Sequence, residues 1–223
     1  MTSTRCSILV SAVALTMATS AAAQSSAAIA EGLFRDGKKL LDEKKYAEAC
    51  PKFAESARLD PSSGVELALG LCYEGLGKTA SAWGAYENAI SLARRDNRKD
   101  RERAATKHAA ALEHTLAHVT IVVPDDVTKL EGLEVREDGV IMGAAAWNDA
   151  PVDPGAHTLE VTAPGKKPWS TTFTVDRQHP SQTVSVPELE AAPQQVVVVE
   201  GDGSAGRVLV VGPAHPFRTV AIA

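Results

Sequence analysis

The stretch from Ala30 to Ala93 repeats itself at an offset of 33 residues, and no other feature limits the fold of this chain so tightly. Shifted by that offset, Gly37 falls on Gly70, Ala47 on Ala80, Ala49 on Ala82 and Leu59 on Leu92. Phe34 meets Leu67, Leu40 meets Tyr73, and Phe53 meets Tyr86. Small residues recur where two helices must approach closely, and large apolar ones where the gap must be filled. Within each copy the apolar residues keep helical spacing, as in Leu33, Phe34, Leu40 and Leu41, then Ala49, Phe53 and Ala57. Each copy therefore reads as a helix, a tight turn and a second helix. Asp60-Pro61 closes the first copy, because proline lacks an N–H and disfavours helix in the residue before it. Glu43-Lys44-Lys45 and Gly75-Leu76-Gly77-Lys78 make the internal turns. Pro51 is compatible with a helix that starts near Ala47, which would leave the proline in the first turn.

A helical pair of about 34 residues with this pattern of glycine, alanine and aromatics resembles the tetratricopeptide repeat family. The resemblance implies a binding array rather than a catalyst, in which the first helices of successive repeats line a groove. Here that face would hold Phe34, Lys38, Leu41, Leu67, Leu71 and Glu74, apolar anchors with a few charges that suit a bound peptide. After Leu92, the run from Arg94 to Arg103 carries six basic and three acidic residues. The interleaved acids and the lack of aromatics argue against nucleic acid and for a solvated turn. A further helix is expected to continue to about His118, with Ala104, Ala105, Ala109, Leu112 and Leu116 inward, covering the last apolar face. His114 and His118 stand at i, i+4, but no acidic or thiol third ligand has suitable spacing, so no metal site is expected.

Residues 1–23 have the three parts of an export signal: Arg5, an apolar core from Ile8 to Ala18, and the small residues Ala21-Ala22-Ala23. The apolar run is shorter than the ~20 residues a membrane span needs. Export would deliver Cys50 and Cys72 to an oxidising compartment. Each lies eleven residues from Pro61, so on antiparallel helices both stand about 16 Å from the turn. A disulfide is expected, against the alternative of two buried thiols acting as small hydrophobes.

At Val119 the pattern turns from helical to alternating. Strands are expected over Val119–Pro124, Leu133–Arg136, Val140–Met142, Ala150–Val161, Trp169–Val175 and Thr183–Val186. Asp138-Gly139 favours a hairpin turn, Pro154-Gly155 a type II turn, and Ala163 to Lys167 another turn. His157 is expected on the exposed side of its strand. Trp147 and Trp169 suit core packing, with sugar stacking as the alternative. The run PVDPGAHTLEVTAPGKKPW, after VREDGV and Trp147, resembles the PEGA-type domain, a small β-sandwich of bacterial envelope proteins. Signal, repeats and sandwich together resemble a group of exported proteins of myxobacteria-like Gram-negative bacteria.

The expected fold class is α+β in separate domains, an antiparallel helical repeat over residues 30–118 and a small antiparallel β-sandwich over 119–187. Residues 188–223 read as a low-complexity, disordered tail in which Val196–Val199 and Val208–Val211 suit a short hairpin. A formal charge of -5 is too mild to argue for nucleic acid or an anionic membrane. No GxSxG, HExxH or Walker loop occurs, and Gly201 to Gly206 follows no strand-to-helix unit. The expectation is a non-enzymatic periplasmic or envelope-associated scaffold without cofactor or membrane span in the mature chain. It would bind a protein or peptide; the alternative is a cell-wall or carbohydrate-binding module working through the sandwich.

Overall fold

Helix-forming residues fill the first half of the chain and β-branched ones the second, and the protein is α+β, helices followed by antiparallel-rich sheets. A computed structural model describes residues 18–176, 179–193, 196–197 and 209–210. Residues 1–17, which hold most of the expected export signal, lie outside the described residues. The chain divides into two units at the Leu116–Ala117 junction. Among the described residues, no helix is long and apolar enough to cross a membrane.

The first unit contains α1 (Ala18–Asp42), α2 (Tyr46–Leu59), α3 (Ser63–Gly75), α4 (Thr79–Arg95) and α5 (Lys99–Glu113). Consecutive helices pack on one another, and α3 also touches both α1 and α5. The offset of 33 residues reappears as packing. Gly37 lies against the ring of Phe53 and Gly70 against the ring of Tyr86, so each hairpin closes through the same glycine–aromatic contact. Ala49 and Ala82, also one offset apart, are both fully buried beside these rings. The internal turns match as well. Lys44 and Gly77 both take positive φ, at 56° and 74°. The Lys45 N–H reaches the Leu40 carbonyl at 2.8 Å, and the Lys78 N–H reaches that of Tyr73 at 2.9 Å. These are the wide hydrogen bonds of a Schellman helix end. Since a side chain is strained in that conformation, Lys44→Gly should stabilise the helical unit by about 0.5–1 kcal/mol. Urea unfolding followed by helical circular dichroism measures this, and a loss of stability would contradict it.

Two expectations for the helices need correction. Helix α2 begins at Tyr46, so Pro51 is its sixth residue and lies beyond the first turn. Pro51 and Ala47, whose carbonyl would otherwise have received an N–H, are both exposed, which lets solvent satisfy that oxygen. Helix α5 stops at Glu113 rather than near His118. The N–H and hydroxyl of Thr115 both bond the Leu112 carbonyl, at 2.7 and 2.8 Å, and close the helix. His118 belongs to a strand, so the i, i+4 relation to His114 does not exist.

The second unit begins with β1 (Ala117–Val122) and a helical turn, α6 (Asp125–Thr128). Strands β2 (Glu134–Glu137), β3 (Val140–Ile141), β4 (Ala150–Val152), β5 (Gly155–Thr162), β6 (Trp169–Val175) and β7 (Ser181–Ser185) follow. They form one sheet in the order β4-β1-β7 and another in the order β3-β2-β5-β6. Val119, Ile121 and Val184 from the first sheet share one apolar cluster with Val135, Leu159, Val161 and Val175 from the second. The β2–β3 turn is a two-residue hairpin, with Glu137 paired to Val140 and positive φ at Asp138 and Gly139 (47° and 81°). That is the turn an Asp-Gly pair favours.

Pairing differs from the all-antiparallel expectation at one place. Strands β1 and β7 run parallel, from His118↔Ser181 to Val122↔Ser185. Strands β2 to β6, five in all, lie between them in the chain and supply the long crossover that a parallel pair needs. Pro154-Gly155 is also not a type II hairpin turn. Gly155, at φ 140°, starts β5 in the second sheet while β4 belongs to the first, so the turn carries the chain between sheets. Order also runs past residue 187. Leu189 is buried in the cluster, Lys166 bridges Ala191, and the Ala192 N–H bonds the Gly165 carbonyl at 2.9 Å. Further on, β8 (Val196–Val197) pairs antiparallel with β9 (Leu209–Val210). The rest of the expected tail lies outside the described residues.

Candidate functional site

Among the described residues three places gather chemistry, and the first is the face expected to bind a partner. Phe34 and Leu41 are half-buried against the core of the first hairpin, where the Phe34 and Phe53 rings meet at 5.8 Å. Leu67 is half-buried against the core of the second. Lys38 and Leu71 are exposed. Glu74 is held: its carboxylate accepts the Tyr86 hydroxyl at 2.6 Å and faces His108 Nδ1 at 3.1 Å. The Tyr86 ring stacks on His108 at 5.0 Å. One acidic side chain therefore ties α3 to α4 and α5. Burial and then the Glu74 carboxylate push the Tyr86 phenol far above its ordinary value, so it stays a donor at any physiological pH. Cys50 on α2 and Cys72 on α3 stand at disulfide distance, with Cα atoms 5.6 Å apart.

The second place is an open cleft of about 460 Å³ bounded by α2, α3 and α4. Ala54, Ala57, Gly84 and Ala85 keep its walls low, and Arg58 and Tyr73 stand among the lining residues. Glu66, which also lines it, is only 9% exposed. Burial raises its carboxyl pKa, and a hydrogen bond from Asn88 opposes the shift. A folded pKa above the unfolded value means that the fold holds the proton more tightly. The stability linked to Glu66 is therefore complete below the unfolded pKa and lost as pH rises through the folded one. Glu66→Gln should remove that decline, leaving the variant more stable relative to wild type at pH 7 than at pH 4. Thermal melts of both proteins across that range test it, and parallel pH profiles would refute it.

The third place lies at the β2–β3 hairpin, and the sequence reading put its central residue on the wrong side. His157 is 8% exposed rather than solvent-facing. It shares the inward face of β5 with Leu159 and Val161 and stacks on its register partner Phe173 at 5.3 Å. Its Nε2 lies 2.7 Å from the Asp153 carbonyl, which can only accept. Its Nδ1 lies 2.9 Å from Asp138 Oδ2 and 3.4 Å from Glu137 Oε1. With both nitrogens facing acceptors, the protonated ring can donate a hydrogen bond from each. Burial works against that charge, but the Asp153 carbonyl and then the Asp138 carboxylate outweigh it and raise the His157 pKa. Burial also raises the Glu137 pKa; His157 counters this, and repulsion from Asp138 and Asp153 adds to it. The strand alternation back from Val161 and Leu159 was the signal that would have turned His157 inward. The Asp-Gly turn then brings Asp138 to β5, where its Oδ1 accepts the Thr158 N–H at 2.9 Å.

Trp147 and Trp169 are half-buried against the sheet cluster, and the Trp147 indole donates to the Met142 carbonyl at 3.1 Å. No family model matches this chain, and no curated protein or solved structure matches it.

Proposed function

We propose that this protein is an exported, non-enzymatic adaptor whose tetratricopeptide-like helical unit holds a protein or peptide partner. In this reading its sheet unit is a PEGA-type sandwich that spaces or docks the complex. The observation that carries the proposal is the repeated hairpin closure, Gly37 on Phe53 and Gly70 on Tyr86, combined with contact of α3 to both α1 and α5. First helices that touch in series form one surface, on which Lys38 and Leu71 remain exposed beside Phe34, Leu41 and Leu67. An extended or helical peptide with apolar anchors suits such a surface. The cysteine pair at disulfide distance supports an oxidising destination. The carbohydrate alternative is weakened by both tryptophans packing against the sheet cluster.

A photo-crosslinker placed at Leu71 in cells should trap one partner, and Leu71→Glu should abolish capture from a crosslinker at Lys38. Trapping from Arg58, across the unit on α2, should fail. Equal trapping from Leu71 and Arg58 would refute the groove. Binding of the intact protein to peptidoglycan with Leu71→Glu unaffected would favour the wall-binding reading. The secreted chain should begin at Gln24 or within a few residues, by N-terminal sequencing.

A further inference from the structure

We propose that Glu137, Asp138 and His157 form a binding site for a divalent transition metal of the zinc type, built into the β2–β3 hairpin. Their three ligand atoms lie within 4.8 Å of one another. Two donors around a tetrahedral zinc, each about 2.1 Å from it, are separated by about 3.4 Å. The Nδ1 to Glu137 Oε1 distance is 3.4 Å and that to Asp138 Oδ2 is 2.9 Å. The Asp138 carboxylate has to draw back from Nδ1 by roughly half an ångström on this geometry, and it is the half-exposed member of the set.

The supporting contacts are those that metal ligands use. A ligating histidine usually donates its second ring N–H to a carbonyl or carboxylate, which fixes the ring. His157 Nε2 already does so to Asp153, and Phe173 holds the plane of the ring. The Thr158 N–H holds Asp138 Oδ1 and leaves Oδ2 turned to the site. Glu137 lies on β2 and His157 on the neighbouring β5, so strand pairing sets the spacing of these two, and the two-residue turn presents Asp138 beside them.

The charge around the ring suits a cation, because the carboxylates of Asp138 and Glu137 lie 2.9 and 3.4 Å from the same ring nitrogen. An imidazole ligand favours zinc, cobalt or nickel over calcium and magnesium, which prefer oxygen. The exposed Asp138 side leaves a fourth position open to water.

Zinc titrated into untagged, chelator-treated protein should bind in a saturable one-to-one step by calorimetry, and excess calcium should not displace it. Glu137→Gln and Asp138→Asn should each weaken binding roughly tenfold or more. Ring resonances of His157 should move with that step, while those of His108, His118 and His179 stay in place. This measurement is made on the native chain and does not depend on a variant folding. The proposal is overturned if no saturable step occurs, if calcium competes equally, or if zinc binds while the His157 signals remain unmoved. Binding of wild-type strength in both folded carboxylate variants would overturn it too.

Discussion

Gly70→Val should destabilise the helical unit by about 3 kcal/mol, the upper part of the range for overpacked cores. A Cβ at this position overlaps the Tyr86 ring, with Cδ1 at 2.6 Å and Cζ at 2.8 Å. The ring has nowhere to go. It is fully buried, its hydroxyl is held by Glu74, and its face is stacked on His108. Gly37 gives the matched comparison one repeat earlier. There the nearest ring atom is Phe53 Cε1 at 2.8 Å, and Phe53 has no hydroxyl to anchor it. Gly37→Val should therefore cost less than Gly70→Val, although both valines enter helices of similar pattern. Urea unfolding of the full chain, followed by helical circular dichroism, gives both values. Adding Tyr86→Leu to Gly70→Val should recover part of the loss, because a smaller side chain makes room, and the cycle isolates the contact. Equal costs at the two glycines, or no recovery in the double variant, would show that the tethered ring is not the cause.

How much of this was legible beforehand depends on whether a contact is local or repeated. The recurrence of Gly37 as Gly70 and of Phe53 as Tyr86 was visible because it keeps one offset, so chance similarity at one position is corrected by the others; that each glycine lies on its aromatic ring is a contact between helices that the offset does not state. The cysteine pair was visible because an antiparallel hairpin converts equal distance from Pro61 into equal height. The Asp138-Gly139 turn was visible because its chemistry is confined to two residues. The β1–β7 pairing was not, since nothing in a short valine-rich strand states which partner, or which direction, it will take. His157 was missed for a different reason. A histidine two residues after a Pro-Gly turn reads as exposed until the turn is known to pass between sheets, which fixes the face on which β5 begins. The helix end at Glu113 was misplaced because alanine-rich periodicity runs on to Leu116, and only the Thr115 cap interrupts it.

Reduction of the Cys50–Cys72 bridge should cost the helical unit about 3 kcal/mol at 25 °C, the chain-entropy value for a loop of this size. The residues are 22 apart in sequence, and both are buried. For a unit of roughly a hundred residues that corresponds to a fall in melting temperature of roughly 10–20 °C. The loss should not be uniform. Each hairpin keeps its own glycine–aromatic closure, whereas the bridge joins α2 to α3, across the seam between the two repeats. Without it, the α1–α2 pair is held to the remainder by apolar contacts around Ala49, Phe53 and Leu69, while α4 and α5 still clamp α3 through Tyr86, Glu74 and His108. Hydrogen exchange should therefore accelerate most in α1 and α2 and least in α3 to α5, as local opening follows the weakest interface. A Cys50→Ala/Cys72→Ala variant should behave like the reduced protein but fall slightly lower, since it also loses the packing of two buried sulfurs. A melting temperature that moves by less than about 2 °C on reduction would mean that the seam is held by its apolar contacts alone. Exchange that accelerates equally in all five helices would mean that the repeats open as one unit, and the assignment of the bridge as the clamp between them would be wrong.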